Sequence, residues 1–269
     1  MAGRRKLLES KLDREGFSLP LNLFDPTLPK YLPTQAAFVS DWGTRFRGYG
    51  GGLGNGKTTG GVALAYYLST CFPGNCGYIG RWDGKELIQT TMAEFFRVIP
   101  DTMFEVQNKQ LGYLKFKRQY GGSEIFYGDV KKEEWASSLN LGWFWFDQAE
   151  EVDEARWNHG VSRLRRIVPI LDERGTPVLG PNQKALMAPT YGFVTFNPEG
   201  THSFLYRFFH PDSPTKKPDY QLYQATTYDG LSAGFVTQDY VDGMLSVFPE
   251  SARKRYLDGS WDVFGGKVF

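Results

Sequence analysis

Cysteine is almost absent: Cys71 and Cys76 are the only two in 269 residues, too few for a disulfide framework or a cysteine-built metal centre. Histidine is as sparse, and His159, His202 and His210 fall at no metal-ligand spacing. A reducing, intracellular compartment is the expectation. No run of about 18 uninterrupted apolar residues occurs. The opening MAGRRKLLESKLDREG is basic and then mixed in charge, unlike the apolar centre of a secretory leader, so neither a membrane partner nor export is expected. Charge of one sign is missing too. Thirty-one Lys and Arg against 30 Asp and Glu give a net charge of +1, which offers no global sign of a polyanionic partner. Basic side chains cluster only locally, at GRRK (3–6), RLRR (163–166) and RKR (253–255), where a solvated helix face is the plain alternative to an anion-binding patch.

What is present is a chain 41% hydrophobic and 16% aromatic, enough to bury the core of one large domain or two small ones. After a proline-punctuated lead, LPLNLFDPTLPKYLPTQ, the pattern predicts a strand over 45–49, a glycine loop and a helix over 58–70. CGYIGRW reads as a strand and KELIQTTMAEFFRVI as an amphipathic helix stopped by Pro100. GYLKFKRQ and SEIFYGD alternate around YGG, a β-hairpin signature. GWFWFD, YGFVTFN and QLYQATTYD read as strands, EARWNHGVSRLRR as a helix, and TQDYVDGMLSVF and PESARKRYL as two closing helices. Strands alternating with helices predict an α/β chain on one central, mostly parallel sheet flanked by helices, with the hairpin as an insertion.

RGYGGGLGNGKTTGG (47–61) packs eight glycines around one lysine. Gly51, Gly56, Lys57 and Thr58 match G-x-x-x-x-G-K-[ST] between a predicted strand and a predicted helix. Such a loop is bare so that phosphates can approach its backbone. The N–H groups of Gly51, Gly52, Leu53, Gly54, Asn55, Gly56, Lys57, Thr58 and Thr59 are candidate phosphate contacts, Lys57 the β/γ-phosphate cation and Thr58 a Mg²⁺ ligand for ATP. A chance glycine-rich turn is the bland alternative, and Arg45 and Arg47 sit oddly in the strand before it, which should be apolar if buried.

The apolar strand GWFWFD ends in Asp147, where a Walker B aspartate should stand to complete the Mg²⁺ shell. Without the loop, such an aspartate would read as a turn or cap residue. The position after it, expected to carry the catalytic glutamate, is Gln148. An amide takes no proton from water, so Glu150 or Glu151 acts instead, Gln148 only positions water, or hydrolysis is crippled.

Gln35 in YLPTQAAF, Asn197 in FVTFNPEGTHSFLYRFF and the closing RKRYLDGSWDVFGGKVF, taken with the loop and DQAEEV, resemble the ATPase domain of the large terminase subunit of tailed bacteriophages. The resemblance covers nearly the whole chain. It implies the additional-strand (ASCE) class of P-loop NTPase, adenine reading by Gln35 and a coupling role for Asn197. Residues 1–36 would form an N-terminal helix and adenine-side lead, and 37–269 the motor domain. The nuclease domain of ribonuclease H type that follows in the family is expected to be missing. The implied partners are double-stranded DNA, the portal protein, the small terminase subunit and further copies in a homo-oligomeric ring. In such rings one subunit's arginine completes its neighbour's site. Arg163, expected to share a helix face with Arg166, heads the candidates with Arg165, Arg45 and Arg47.

Other readings use the same residues. A small GTPase would need N-K-x-D, and NKQL (108–111) ends in leucine. A P-loop kinase would share the loop and could use RLRR as a lid, yet needs no TFNP strand. A nucleotide-binding structural subunit with impaired hydrolysis is the reading that Gln148 suggests. Asp212, Asp219, Asp229 and Asp239 are expected to be solvated loop carboxylates instead of a nuclease metal cluster.

Overall fold

The structure, a computed structural model, describes residues 32–172 and 174–262. GRRK, most of the proline-punctuated lead and the closing GGKVF lie outside the described residues.

Eight strands, β1 (Phe46–Gly51), β2 (Cys76–Arg81), β3 (Phe104–Asn108), β4 (Tyr113–Phe116), β5 (Glu124–Asp129), β6 (Trp143–Asp147), β7 (Tyr191–Phe196) and β8 (Tyr220–Ala225), form one sheet ordered β3-β4-β5-β2-β6-β7-β1-β8. β1 runs parallel to β8, and β2 is parallel to both β5 and β6. β3 with β4 and β4 with β5 are antiparallel. β7 stands between β6 and the strand that leads into the glycine loop, the extra strand of the expected class. The predicted hairpin is β4–β5, with Gly121 at φ 98° in its connection. β3 was not expected. It is an edge strand in which Phe104 alone is buried, so its sequence shows no alternation to read.

The chain divides into two compact units, residues 1–60 with 195–269, and residues 61–194. In the second unit β2 and β6 are buried throughout, and the spaces left by glycines decide where indoles fit. Gly77 is paired in register with Trp143 of the neighbouring strand, and a Cβ on Gly77 would lie 2.0 Å from the Trp143 ring. A Cβ on Gly61 would lie 2.2 Å from Trp145.

The helix after β6, Glu154–Arg163, is capped by Asp153, whose side chain accepts from the Arg156 N–H, and buries Trp157 and Gly160. It was expected to run to Arg166, but stops at Arg163. Leu164 is buried and bridges to Leu141, and the Arg166 N–H donates to the Leu141 carbonyl; extended pairing wins over another helical turn, and Arg165 and Arg166 leave the helix. Arg163 and Arg166 therefore share no helix face. Past them, short antiparallel rungs pair Pro169 with Met187, Leu171 with Pro177 and Leu179 with Ala185, a stretch that the sequence pattern left unassigned.

In the first unit a helix spans Pro33–Ser40, starting on a proline whose missing N–H costs nothing in the first turn. The division expected at residue 36 falls inside it. Arg47, awkward for a buried strand, is fully buried and donates from Nη1 to the carbonyls of Phe38 (2.8 Å) and Val39 (3.3 Å). It serves the carbonyls that this helix leaves open at its C-terminal end. β8 stops at Ala225, short of the expected TTYD, because Thr226 and Asp229 form a reciprocal capping box that starts the helix Thr227–Ser232. Helices Gln238–Val247 and Glu250–Tyr256 follow as expected. Phe204–Phe209 is a further short helix that buries four of its six residues, too short a segment to show a helical period.

Gly77→Ala should cost about 1–3 kcal/mol by overpacking against Trp143, read as a lower urea midpoint with unchanged slope; Gly243→Ala, whose Cβ would meet nothing within 4 Å, is the control and should hold or raise the midpoint.

Candidate functional site

The glycine loop turns out of β1 into α1 (Lys57–Thr70). Gly51, Gly54 and Gly56 have φ of 133°, 72° and 74°, conformations that side-chain-bearing residues rarely adopt. At Gly51 space excludes a side chain as well, since a Cβ would lie 1.8 Å from the Ala225 carbonyl oxygen.

The loop's first half is tied to backbone from later in the chain. The Gly52 N–H donates to Ala225 O (3.0 Å) and the Leu53 N–H to Tyr256 O (2.7 Å). The buried Thr227 hydroxyl lies 2.7 Å from Leu53 O and 2.9 Å from Tyr256 O. Asn55, fully buried, donates from Nδ2 to Ala225 O (2.7 Å) and accepts at its own carbonyl from the Tyr49 hydroxyl (2.9 Å). Gln35 is also fully buried and donates to Gly56 O (2.9 Å), so its amide braces the loop from beneath. Lys57 folds over the loop, donating to Gly51 O (3.2 Å), Gly52 O and Asn55 Oδ1 (3.2 Å). Gly52 and Leu53, read from sequence as phosphate contacts, thus have their N–H groups engaged by protein carbonyls and act as framework. Thr58 and Thr59 lie half-buried in the first turn of α1, where helix N–H groups and the dipole favour an anion.

Asp147 lies in the other unit, 4% exposed at the end of β6. The fully buried Thr91 hydroxyl donates to Asp147 Oδ2 at 2.6 Å. Gln148 takes the left-handed conformation, φ 51° and ψ 52°, uncommon for a residue with a side chain. Its side-chain carbonyl accepts from Arg81, which closes β2, is buried, and also binds Glu86 and the Thr90 hydroxyl (2.7 Å). Arg81 Nε stands 3.7 Å from Glu151 Oε2. Burial pushes the Glu151 carboxyl above its ordinary range; Arg81 pulls it down, and Glu86 and Asp147 add to the rise. Glu150 is half-buried in the same turn. The structure thus gathers Asp147, Gln148 and Glu151 around an arginine and two threonines that sequence reading missed. The available signal was GYIGR, an apolar strand ending in a buried charge just as WFWFD does.

Of the five candidate arginines, Arg47 is excluded by its burial. The Arg163 guanidinium donates to Ser137 O (2.9 Å) and that of Arg166 to Gly74 O (3.1 and 2.7 Å). Arg165 and Arg45 are exposed. Asn197, 7% exposed, directly follows β7. Asp212, Asp219, Asp229 and Asp239 are all exposed, and among the described residues no group of three or more His, Cys, Asp or Glu could hold a metal ion. That donor set suits Mg²⁺ only as it is held with a nucleotide, by one carboxylate, a hydroxyl, phosphate oxygens and water. A buried Asp147 with one oxygen fixed by Thr91 meets the carboxylate requirement. No helix among the described residues is long and apolar enough to cross a membrane.

A sheet with an extra strand beside the strand of a glycine loop defines a P-loop NTPase fold of the α/β class. No protein-family model and no curated protein sequence matches the chain, but solved structures do. The large terminase of a thermophilic bacteriophage, in complex with ATP-γ-S, superposes with a TM-score of 0.66 at 13% identity over 86% of this chain and 53% of that one. The large terminase ATPase domain of Thermus phage P74-26 gives 0.59 at 14% identity, over 86% and 94%. The HK97 bacteriophage large terminase gives 0.56 at 12% identity, over 84% and 49%. The chain thus spans about half the length of the first and third of these proteins. It has the fold of the ATPase domains of phage large terminases, as the sequence motifs implied.

Thr227→Val keeps shape and removes the hydroxyl that ties the loop to Tyr256. Loss of a buried hydrogen bond should cost about 1–3 kcal/mol in urea unfolding; an unchanged midpoint would show that the tie contributes nothing.

Proposed function

We propose that the chain is an ATPase motor domain of a viral large terminase, which hydrolyses ATP to drive double-stranded DNA into a procapsid. The supporting observation is the loop itself: three glycines at positive φ carry the backbone from β1 into α1, braced by Gln35, Asn55 and Thr227, with Lys57 folded over it. Phosphates would displace Lys57 from its loop carbonyls and bind it together with the N–H groups from Gly54 to Thr59. Thr58 and Asp147 would hold Mg²⁺, which, bound with the nucleotide, neutralises charge on the β- and γ-phosphates. Gln35 braces Gly56 on what is proposed as the adenine side, and Asn197 is proposed to couple nucleotide state to motion.

Glu151 suits the general base because it lies with Arg81 and Gln148 beside Asp147, where burial raises its carboxyl above the ordinary range. DNA, the portal protein and the small terminase subunit are the proposed partners, with Arg163, Arg165, Arg166 or Arg45 acting across a ring of copies. A second reading, a nucleotide-binding subunit with impaired hydrolysis, draws on one observation, the Gln148 amide held by Arg81 where a carboxylate would be catalytic.

Lys57→Ala should abolish ATP binding in a calorimeter, whereas Glu151→Gln should bind ATP as the parent does and lose about 10²–10⁴-fold in kcat. Glu150→Gln is expected to stay near the parent. Specific activity should also climb with protein concentration, since an arginine supplied by a neighbour can contribute about 10³–10⁵ in rate. Tight ATP binding by Lys57→Ala would overturn the loop's role, and a fully active Glu151→Gln would return the base to Glu150.

A further inference from the structure

The helix expected over 85–99 is interrupted. A short helical turn at Gly84–Glu86 passes into a π turn at Leu87–Thr91 before the helix resumes at Met92–Val98. Such turns fit one residue more into the helix and are often found at functional sites. Here the π turn ends in two consecutive threonines with different tasks. Thr90 donates back to Glu86 O (2.7 Å), the local bond that a helical threonine ordinarily makes, and accepts from Arg81 (2.7 Å). Thr91 instead donates to a carboxylate 56 positions away, Asp147 Oδ2, at 2.6 Å. That length belongs to a charge-assisted O–H···O⁻ bond.

Resting on the terminase-ATPase reading above, we propose that Thr91 is a positioning residue for Asp147. Its hydroxyl fixes one carboxylate oxygen, and so the carboxylate plane, in the orientation that takes up the Mg²⁺ of the bound nucleotide. Three observations support this role. A hydroxyl has one proton, and Thr91 gives it to Asp147. Thr91 is fully buried and β-branched, so its χ1 is stiff and the bond is held in one direction. The turn that carries it is anchored on its other side by Thr90 to Arg81, which also holds Gln148. Adjacent residues of one turn therefore brace both members of the Asp147–Gln148 pair. Carboxylates that ligate metals are commonly oriented by such partners, whose loss lowers metal affinity about 10–100-fold.

The test is the Mg²⁺ dependence of nucleotide binding in Thr91→Val, which keeps volume and removes the proton, and in Thr91→Ser, which keeps the proton. A fluorescent ATP analogue is titrated first in EDTA and then over a Mg²⁺ series. Thr91→Val should bind the analogue as wild type does without metal and need about 10–100-fold more Mg²⁺ for half-maximal enhancement. Thr91→Ser should restore most of the loss. A Thr91→Val protein with the wild-type Mg²⁺ requirement overturns the proposal, as does one whose metal-free binding falls equally, which would mark a merely structural threonine. Should the valine variant fail to fold, the Thr91 methyl resonance of the wild-type protein decides: it should move on adding Mg²⁺ to the analogue complex and stay in place on adding analogue in EDTA, and a methyl that ignores Mg²⁺ overturns the proposal. Wild-type protein that binds no analogue would sink the ATPase reading instead, a result distinct from either.

Discussion

The shape of the glycine loop depends on how closely the backbone at Gly51 approaches the carbonyl of Ala225. A single methyl group there would sit 1.8 Å from that oxygen, so the position admits only glycine, and a glycine at φ 133° sends the chain out of the sheet. The same carbonyl then accepts from the Gly52 N–H and from Asn55. Tyr256 O, at the end of a helix far along the chain, takes the Leu53 N–H. A loop with almost no side chains cannot hold its shape by packing, because it has little apolar surface to bury. It is held by hydrogen bonds from residues that do have side chains: Gln35, Tyr49, Asn55 and Thr227. This is how a flexible sequence becomes a preorganised one, which matters for any site whose donors must already be aimed when charge arrives.

The Asp147 corner depends on a different arrangement of charge. One buried guanidinium, that of Arg81, serves Glu86, Thr90 and Gln148 and lies near Glu151. A buried cation with a single partner would be costly, whereas several acceptors replace the water it has lost. The arrangement also explains why a left-handed Gln148 is tolerated: its side chain gains a charge-assisted bond that offsets the backbone strain. If Glu151 is the base, the same arginine opposes the burial that raises its carboxyl.

The fold was legible where burial is two-sided or where turn chemistry is specific. WFWFD, YGFVTF and CGYIGR are continuous apolar runs, and the loop has a spacing that few other structures require. What stayed hidden has physical reasons. Edge strand β3 buries one residue and shows no period. The Phe204–Phe209 helix has six residues, too few to show a period. The end of the helix at Arg163 is decided by Leu164 pairing with Leu141, a contact between positions distant in sequence that no local propensity registers. Among the candidate site residues, Lys57 and the loop glycines could be named from spacing and Asp147 from the apolar strand that it ends. Arg81 and Thr91 were not, since their roles exist only once β2, the π turn and the end of β6 come together. Arg47 was misread for the same reason: its partners are the carbonyls of a helix that had not been expected.

The most direct measurement is steady-state phosphate release by the purified chain with ATP and Mg²⁺, with and without linear double-stranded DNA. A packaging motor predicts turnover that the DNA raises. ATP bound without any phosphate released, with or without DNA, would contradict a motor and leave a nucleotide-binding subunit in its place.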